Sequence, residues 1–301
     1  MANGEARQAA ASPALLLALG VATLSAMDAT IKVAAETNHV LVVTLGRYVF
    51  GFAFAAMIWA HAGRPRITAA MWRAHSVRGL VIAASATSFF WGLTVLPLAE
   101  AVAYAFFYPL VVPFVAAALI GEPVRPRNLA AIALGFGGVL AAAQGAPSFA
   151  ENPLHAWGVA SVIFSALTFA VSVVLMRARA QTDGAPIVGL LATLLPGLIV
   201  LGPTLLIAPP PRWTDWPVFL LMGLLAAAGM YLVARAYAKA EAQRLAPIHY
   251  TELLWASVIG YLLFQEILRP DVLFGAGLII VACVWSAWEE RRLAAAAGDL
   301  G

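Results

Sequence analysis

The sequence predicts an all-α membrane protein of ten transmembrane helices, built as two inverted repeats of five with both termini in the cytoplasm. Three observations predict it. The 301 residues are 62% apolar and only 11% charged, where soluble chains run at about 45–50% and about a quarter, and the mean hydropathy is +0.88. The apolar residues fall into ten blocks of roughly 20, the length a helix needs to cross about 30 Å of hydrocarbon. A short Glu-and-Arg-Pro pattern then recurs between the two halves. A soluble globule is excluded. Cys283 is the only cysteine, which excludes an internal disulfide and a thiolate metal site, and no metal or cofactor is expected.

The first block, 13–36, follows Arg7 and has the outline of a signal peptide, but Asp28 and Lys32 carry its helix beyond any cleavage site. Blocks at 39–61, 79–97, 100–121 and 127–144 complete the first half. After a connection at 146–155, blocks at 156–178, 186–208, 216–239, 247–264 and 271–290 form the second. The chain thus divides into an N-terminal segment 1–12, a first repeat 13–145, a linker 146–155, a second repeat 156–290 and a tail 291–301. All loops are short, so no soluble domain is inserted. Of the 18 Lys and Arg residues, 14 fall in segments on the N-terminal side of the membrane, and only Arg212 and Arg269 on the other. Cytoplasmic loops keep that excess, which places both termini inside. Trp213 and Trp216 suit the opposite interface.

The chain reads ALIGEPVRP around Glu122 and LLFQEILRP around Glu266, 144 residues apart, and PLAEA at 97–101 has an echo in AKAEA at 238–242. Two halves of five spans follow, and because five is odd the second must cross in the opposite sense. Inverted repeats of this kind place substrate near the midplane and expose it alternately to each side. These residues, with a Pro-bearing fourth span ending in Gly121-Glu122, resemble the EamA branch of the drug/metabolite transporter superfamily over about 13–290. The echo departs from the pattern in having Gln265 for glycine. Within that branch the chain is most similar to the YddG-type exporters of aromatic amino acids. The resemblance implies a multi-pass protein of the bacterial inner membrane that moves a small molecule and has no catalytic residues.

Ionisable groups inside spans are costly and normally face a cavity or a partner. Asp28 and Lys32 stand i,i+4 on one face of the first span, acid before base, with Ser25 continuing that face. Asp28 and Arg47 each lie eight residues from the outer ends of their spans, roughly 12 Å down at about 1.5 Å per residue. An Asp28–Arg47 contact is expected, leaving Lys32 nearer the outer surface to meet an entering carboxylate. The alternative is a structural ion pair locking two helices. His249, Glu252 and Trp255 follow at intervals of three in the ninth span. Glu252 suits a proton-coupling site; the alternatives are an interfacial histidine and a glutamate bonded to neighbouring hydroxyls.

Tyr104, Phe107 and Tyr108 share a face of the fourth span, and Pro109 and Pro113 interrupt its hydrogen-bond ladder, a device found where transporters line their sites. Trp91 and Tyr48 complete an aromatic lining suited to flat or cationic ligands, against the alternative of core or lipid-facing packing. Ser161, Ser165, Thr168 and Ser172 make a hydroxyl stripe, read first as close helix packing and second as a cavity wall. Gly135, Gly138, Gly275 and Gly277 read as packing positions. Glu122 with Arg125, and Glu266 with Arg269, read as local ion pairs.

No GxxxxGK[ST] loop, HExxH pair or GxSxG elbow is present, and the scattered basic residues form no nucleic-acid patch. The expected activity is export of aromatic and other large neutral amino acids. Their ammonium would meet Asp28 or Glu252, their carboxylate Lys32 or Arg47, and their apolar part Trp91, Tyr104, Tyr108 or Trp255. An exporter of organic cations needs only the acids and aromatics. A receptor or a membrane enzyme of lipid metabolism is the alternative of another class.

Overall fold

The computed structural model describes residues 12–143 except 123 and 125, 154–240, 245–265 and parts of 270–285. Every regular element among them is helical. In chain order these are α1 (Pro13–Ala35), α2 (Val40–His61), α3 (Ala69–Val95), α4 (Leu98–Ala105), α5 (Tyr108–Ile120), α6 (Pro126–Ala143), α7 (His155–Asp183), α8 (Ala185–Ile207), α9 (Trp216–Tyr237) and α10 (Thr251–Phe264). Short 3-10 turns stand at Trp213–Asp215 and Ala246–Tyr250. Six helices, α1, α2, α3, α7, α8 and α9, are long and apolar enough to cross a bilayer. Their outer faces carry leucines such as Leu205 and Leu206, the latter 86% exposed, surface that hydrocarbon and not water must cover. The described parts of 274–285 are helical; the remainder of the expected tenth span, with Cys283, Glu266 and Arg269, lies outside the described residues.

Side-chain caps set where helices begin. Ser12 accepts from the Leu15 N–H at 3.2 Å, His39 Nδ1 from Leu41 at 3.2 Å and Thr68 from Met71 at 3.3 Å. The Thr68 cap starts α3 at Ala69, not at the expected 79. Its first turns are exposed on one side and bury His75 and Arg78 on the other. Likewise α7 runs past the expected 178 to Asp183, where Gly184 at φ +78° turns the chain into α8. Hydropathy marks the hydrocarbon crossing, and these helices extend beyond it.

The expected fourth span is two helices. Pro109 has no N–H to offer the Ala105 carbonyl, so α4 stops there and α5 begins with the proline in its first turn. In the second half Pro247 opens a 3-10 turn that passes into α10. Both α5 and α10 end on a left-handed residue: Gly121 (φ +70°) donates to Ala116 O, and Gln265 (φ +56°) to Gly260 O. The equivalent atoms lie 144 residues apart, as in the sequence repeat.

Packing follows the same exchange. α1 lies along α9 as α7 lies along α3; α10 meets α1 as α5 meets α7; α9 meets α2 as α3 meets α8; and α2 packs on its own counterpart α8. Glycines make the two longest contacts close. A Cβ on Gly20 of α1 would stand 3.2 Å from the Gly229 carbonyl of α9, and one on Gly229 would stand 3.2 Å from the Gly20 carbonyl. At the α3–α7 crossing a Cβ on Gly92 would meet Val162 at 2.5 Å, and one on Gly158 would meet Val95 at 2.6 Å. Backbones approach this closely only where side chains are absent. Gly135 packs as expected, against the Tyr250 ring, whereas Gly277 has no described neighbour within 4 Å.

Candidate functional site

A cavity of about 140 Å³ lies between the two sets of helices, roughly ten times the space one water needs. The first half supplies Asp28 from α1, Arg47 and Tyr48 from α2, Arg78, Ser85 and Phe90 from α3, and Tyr108 from α5. The second supplies Ser165, Phe169 and Ser172 from α7, Tyr237 from α9, and His249 and Glu252 where the 3-10 turn passes into α10. The fourth span at its break and the ninth span in its first turns therefore face the cavity.

Six of the ten sequence-predicted site residues meet here: Asp28, Arg47, Tyr48, Tyr108, His249 and Glu252. The other four do not line it. Lys32 lies a turn beyond Asp28, its ammonium 4.9 Å above the Phe264 ring. Trp91 follows Phe90, and the 100° step of a helix turns it aside once Phe90 faces inward. Tyr104 packs on the core, because the break after Ala105 separates its face from that of Tyr108. Trp255 is 42% exposed on the outer side of α10.

The expected Asp28–Arg47 contact is replaced by something looser. Among the described residues no N–O distance of 4.0 Å or less joins Asp28 to a base. Arg47 donates Nε to Met27 Sδ at 3.1 Å and spreads over the rings of Tyr48 at 4.7 Å and Phe90 at 5.7 Å. Asp28 and Arg47 attract each other across this gap, while Glu252 stands near enough to Asp28 for the two carboxylates to repel. Two acids and two bases thus share a mostly apolar chamber.

His249 is buried in this chamber and not interfacial. Its Nε2 lies 2.8 Å from the Tyr237 hydroxyl. Tyr108 stands edge-on to Phe169 at 4.9 Å and to His249 at 5.4 Å, completing an aromatic wall. The hydroxyl stripe of α7 divides: Ser165, 3.0 Å from Ser85 Oγ, and Ser172 face the cavity, while Ser161 and Thr168 bond carbonyls of their own helix. Sequence reasoning missed Arg78, Phe90, Phe169 and Tyr237. Arg78 becomes legible only once the Thr68 cap starts α3 early, which sets His75 and Arg78 i,i+3 on its buried side.

Polar ties bracket the chamber. At one end His75 Nε2 lies 3.0 Å from Asp183 Oδ2, and Arg179 grips the same carboxylate at 2.8 and 2.9 Å. Nearby, Arg177 of α7 donates to Glu122 Oε1 at 3.1 Å and to the Tyr237 carbonyl of α9 at 2.7 Å. Arg125, expected beside Glu122, lies outside the described residues. At the other end Thr37 and Asn38 both donate to Asp215 at 2.7 Å. Those bonds, the one from Thr37 first, hold the Asp215 carboxyl below its ordinary range. Among the described residues no three His, Cys, Asp or Glu side chains are grouped to hold a metal.

The sequence profile of the EamA-like transporter family matches the chain twice, over residues 11–143 and 156–288. The S-adenosylmethionine uptake transporter of Rickettsia bellii is 22% identical over 280 residues, covering 91% of this chain and 92% of its own. The pseudopaline exporter CntI of Pseudomonas aeruginosa is 25% identical over 288 residues, covering 91% and 95%. The riboflavin transporter of Rhizobium johnstonii is 28% identical over 254 residues, covering 82% and 80%. A solved crystal structure, 19% identical, superposes with a TM-score of 0.73 over 93% of this chain and 97% of its own, so the fold has been seen by experiment.

Proposed function

The chain belongs to the EamA-like transporter family, and from that premise we propose that it exports aromatic and other large neutral amino acids, or related amphipathic metabolites, by alternating access. It sits in a bacterial inner membrane with both termini in the cytoplasm, as the distribution of Lys and Arg supports. Membership makes it a transporter and not an enzyme. It does not choose the cargo, because the relatives carry substrates as different as S-adenosylmethionine and riboflavin, and one imports where another exports.

The observation that carries the amino-acid reading is the charge composition of the chamber. Asp28 and Glu252 suit an ammonium, Arg47 suits a carboxylate, and Tyr108, Phe169 and Phe90 supply apolar wall between them. A zwitterion with a flat side chain satisfies all three features. An organic cation would leave Arg47 facing a like charge, and this second reading rests on the two acids and the aromatic wall alone.

Counterflow in liposomes containing only this protein tests the reading. Vesicles preloaded with unlabelled phenylalanine should accumulate labelled phenylalanine from outside, and Arg47→Gln should slow this by about tenfold or more, the usual scale for losing one charge-assisted contact. Movement of methyl viologen without phenylalanine, unaffected by Arg47→Gln, would establish the cation exporter instead.

A further inference from the structure

The chamber holds a second guanidinium that no carboxylate among the described residues answers. Arg78 is 2% exposed. Its Nε reaches the Ser172 carbonyl at a long 3.4 Å, its Nη1 has no hydrogen-bond partner, and no carboxylate lies within 4.0 Å among the described residues. Beside it Tyr48 is fully buried, its hydroxyl has no hydrogen-bond partner within 3.5 Å, and the guanidiniums of both Arg47 and Arg78 stand near it. Arg78 and Tyr48 interact electrostatically, and Tyr48 packs on Ile82 and Ala83, a turn along α3 from Arg78. Both line the cavity.

A buried donor without an acceptor is costly, and a buried charge without a counter-charge more so. Arg47 escapes this through two aromatic faces and the pull of Asp28. The His75–Asp183–Arg179 cluster, a turn below Arg78, pairs its charges within itself and leaves His75 Nδ1 without a partner. Arg78 Nη1 and the Tyr48 hydroxyl are left as neighbouring buried donors without acceptors in the wall of the cavity, as is the Tyr108 hydroxyl elsewhere in that wall. We propose that Arg78 Nη1 and the Tyr48 hydroxyl form the carboxylate subsite of the transported molecule, so that the preferred substrates are metabolites carrying a carboxylate as well as an amine. A guanidinium edge presents parallel N–H groups that match a carboxylate in plane, and the phenol adds a third donor. Arg47, held against two aromatic rings and drawn by Asp28, then contributes a second positive charge to the carboxylate's surroundings. The inference rests on the amino-acid reading of this chamber and deepens it.

Binding to the full-length protein in lipid nanodiscs, measured by calorimetry, tests it with three probes: phenylalanine, 2-phenylethylamine, which lacks the carboxylate, and 3-phenylpropionate, which lacks the amine. The wild type should bind phenylalanine more tightly than the amine. Arg78→Gln should weaken phenylalanine by about tenfold and change the amine by less than about twofold, so the preference disappears. Tyr48→Phe removes one oxygen and should weaken phenylalanine and 3-phenylpropionate a few-fold while sparing the amine. Retained amine binding reports that a variant is folded. Should Arg78→Gln bind nothing, Tyr48→Phe decides alone: a preference narrowed a few-fold or more supports the subsite and an unchanged one overturns it. If the wild type binds phenylalanine and both variants keep its preference over the amine, the subsite is wrong while the amino-acid reading stands. A wild type that binds only the amine overturns both.

Discussion

Gly229 sits where two helices touch backbone to backbone, and a side chain there has nowhere to go. Its Cβ would stand 2.8 Å from Leu24 and 3.2 Å from the Gly20 carbonyl. Leu24 is flexible, but a backbone carbonyl yields only if α1 and α9 part. Gly229→Leu should therefore cost about 1–3 kcal/mol by overpacking, read as a lower melting temperature in detergent. Gly137→Ala, on an exposed face of α6 with no described neighbour within 4 Å, should be neutral or slightly stabilising by the helix preference for alanine. At this scale the sequence was most legible for charges placed inside apolar blocks: Asp28, Arg47 and Glu252 announce themselves because hydrocarbon tolerates them only beside a cavity or partner. It was least legible for aromatics. Phe90 and Phe169 line the chamber where Trp91 and Trp255 do not, since hydrophobicity alone cannot distinguish an inner from an outer face. Arg78 was hidden by its place at the edge of an apolar block, where a loop and a helix read alike.

Helix ends were harder to read than helix middles. The blocks located α2, α8 and α9 closely, because their lengths match the hydrocarbon they cross, and they located α6 to within a residue at each end. α3 and α7 were read too short, since Thr68 and Gly184 govern their ends and hydropathy is blind to both. The sequence already showed Gln265 replacing glycine in the second copy of the repeated motif, and the backbone supplies the consequence: both positions adopt the left-handed conformation. A residue with a Cβ pays about 1 kcal/mol there. Gln265→Gly should raise stability by about that amount, and Gly121→Gln, whose Cβ would meet nothing within 4 Å, should lower it similarly through strain alone. Thermal unfolding of the two variants checks both signs. If both changes left the melting temperature unmoved, the left-handed caps would not be contributing to stability.

For the molecule as a whole, alternating access requires that the helices around the chamber part at one end while closing at the other. Arg177 ties α7 to the last carbonyl of α9 beside the lining residues Met176 and Tyr237, and it also holds Glu122 at the end of α5. This tie joins three helices at one end of the chamber, the cytoplasmic end in the topology proposed above. Arg177→Ala should release it. A cysteine at Met176, in a background with Cys283→Ala, should then react several-fold faster with a membrane-impermeant thiol reagent applied from that side. An unchanged rate would show that the tie does not gate the chamber. The repeat behind this motion was legible through Glu122 and Glu266. A second trace, Ala-Leu-Gly-Val-Ala at 18–22 against Ala-Trp-Gly-Val-Ala at 156–160, gains meaning only once Gly20 and Gly158 are seen at matching crossings.

Those crossings bear on how the protein is assembled. Each joins a helix of one half to a helix of the other, α1 to α9 and α3 to α7, so neither half can cover its own glycine face. Either half inserted alone would expose two open grooves to lipid, each complementary to a face of the other half. The relation is that of an isologous dimer, in which the same pair of surfaces is used twice about a two-fold axis, here fused into one polypeptide. The connection at 144–154 then serves to hold two mutually dependent pieces at high effective concentration, and the surfaces that recognise each other are already complete on either side of it.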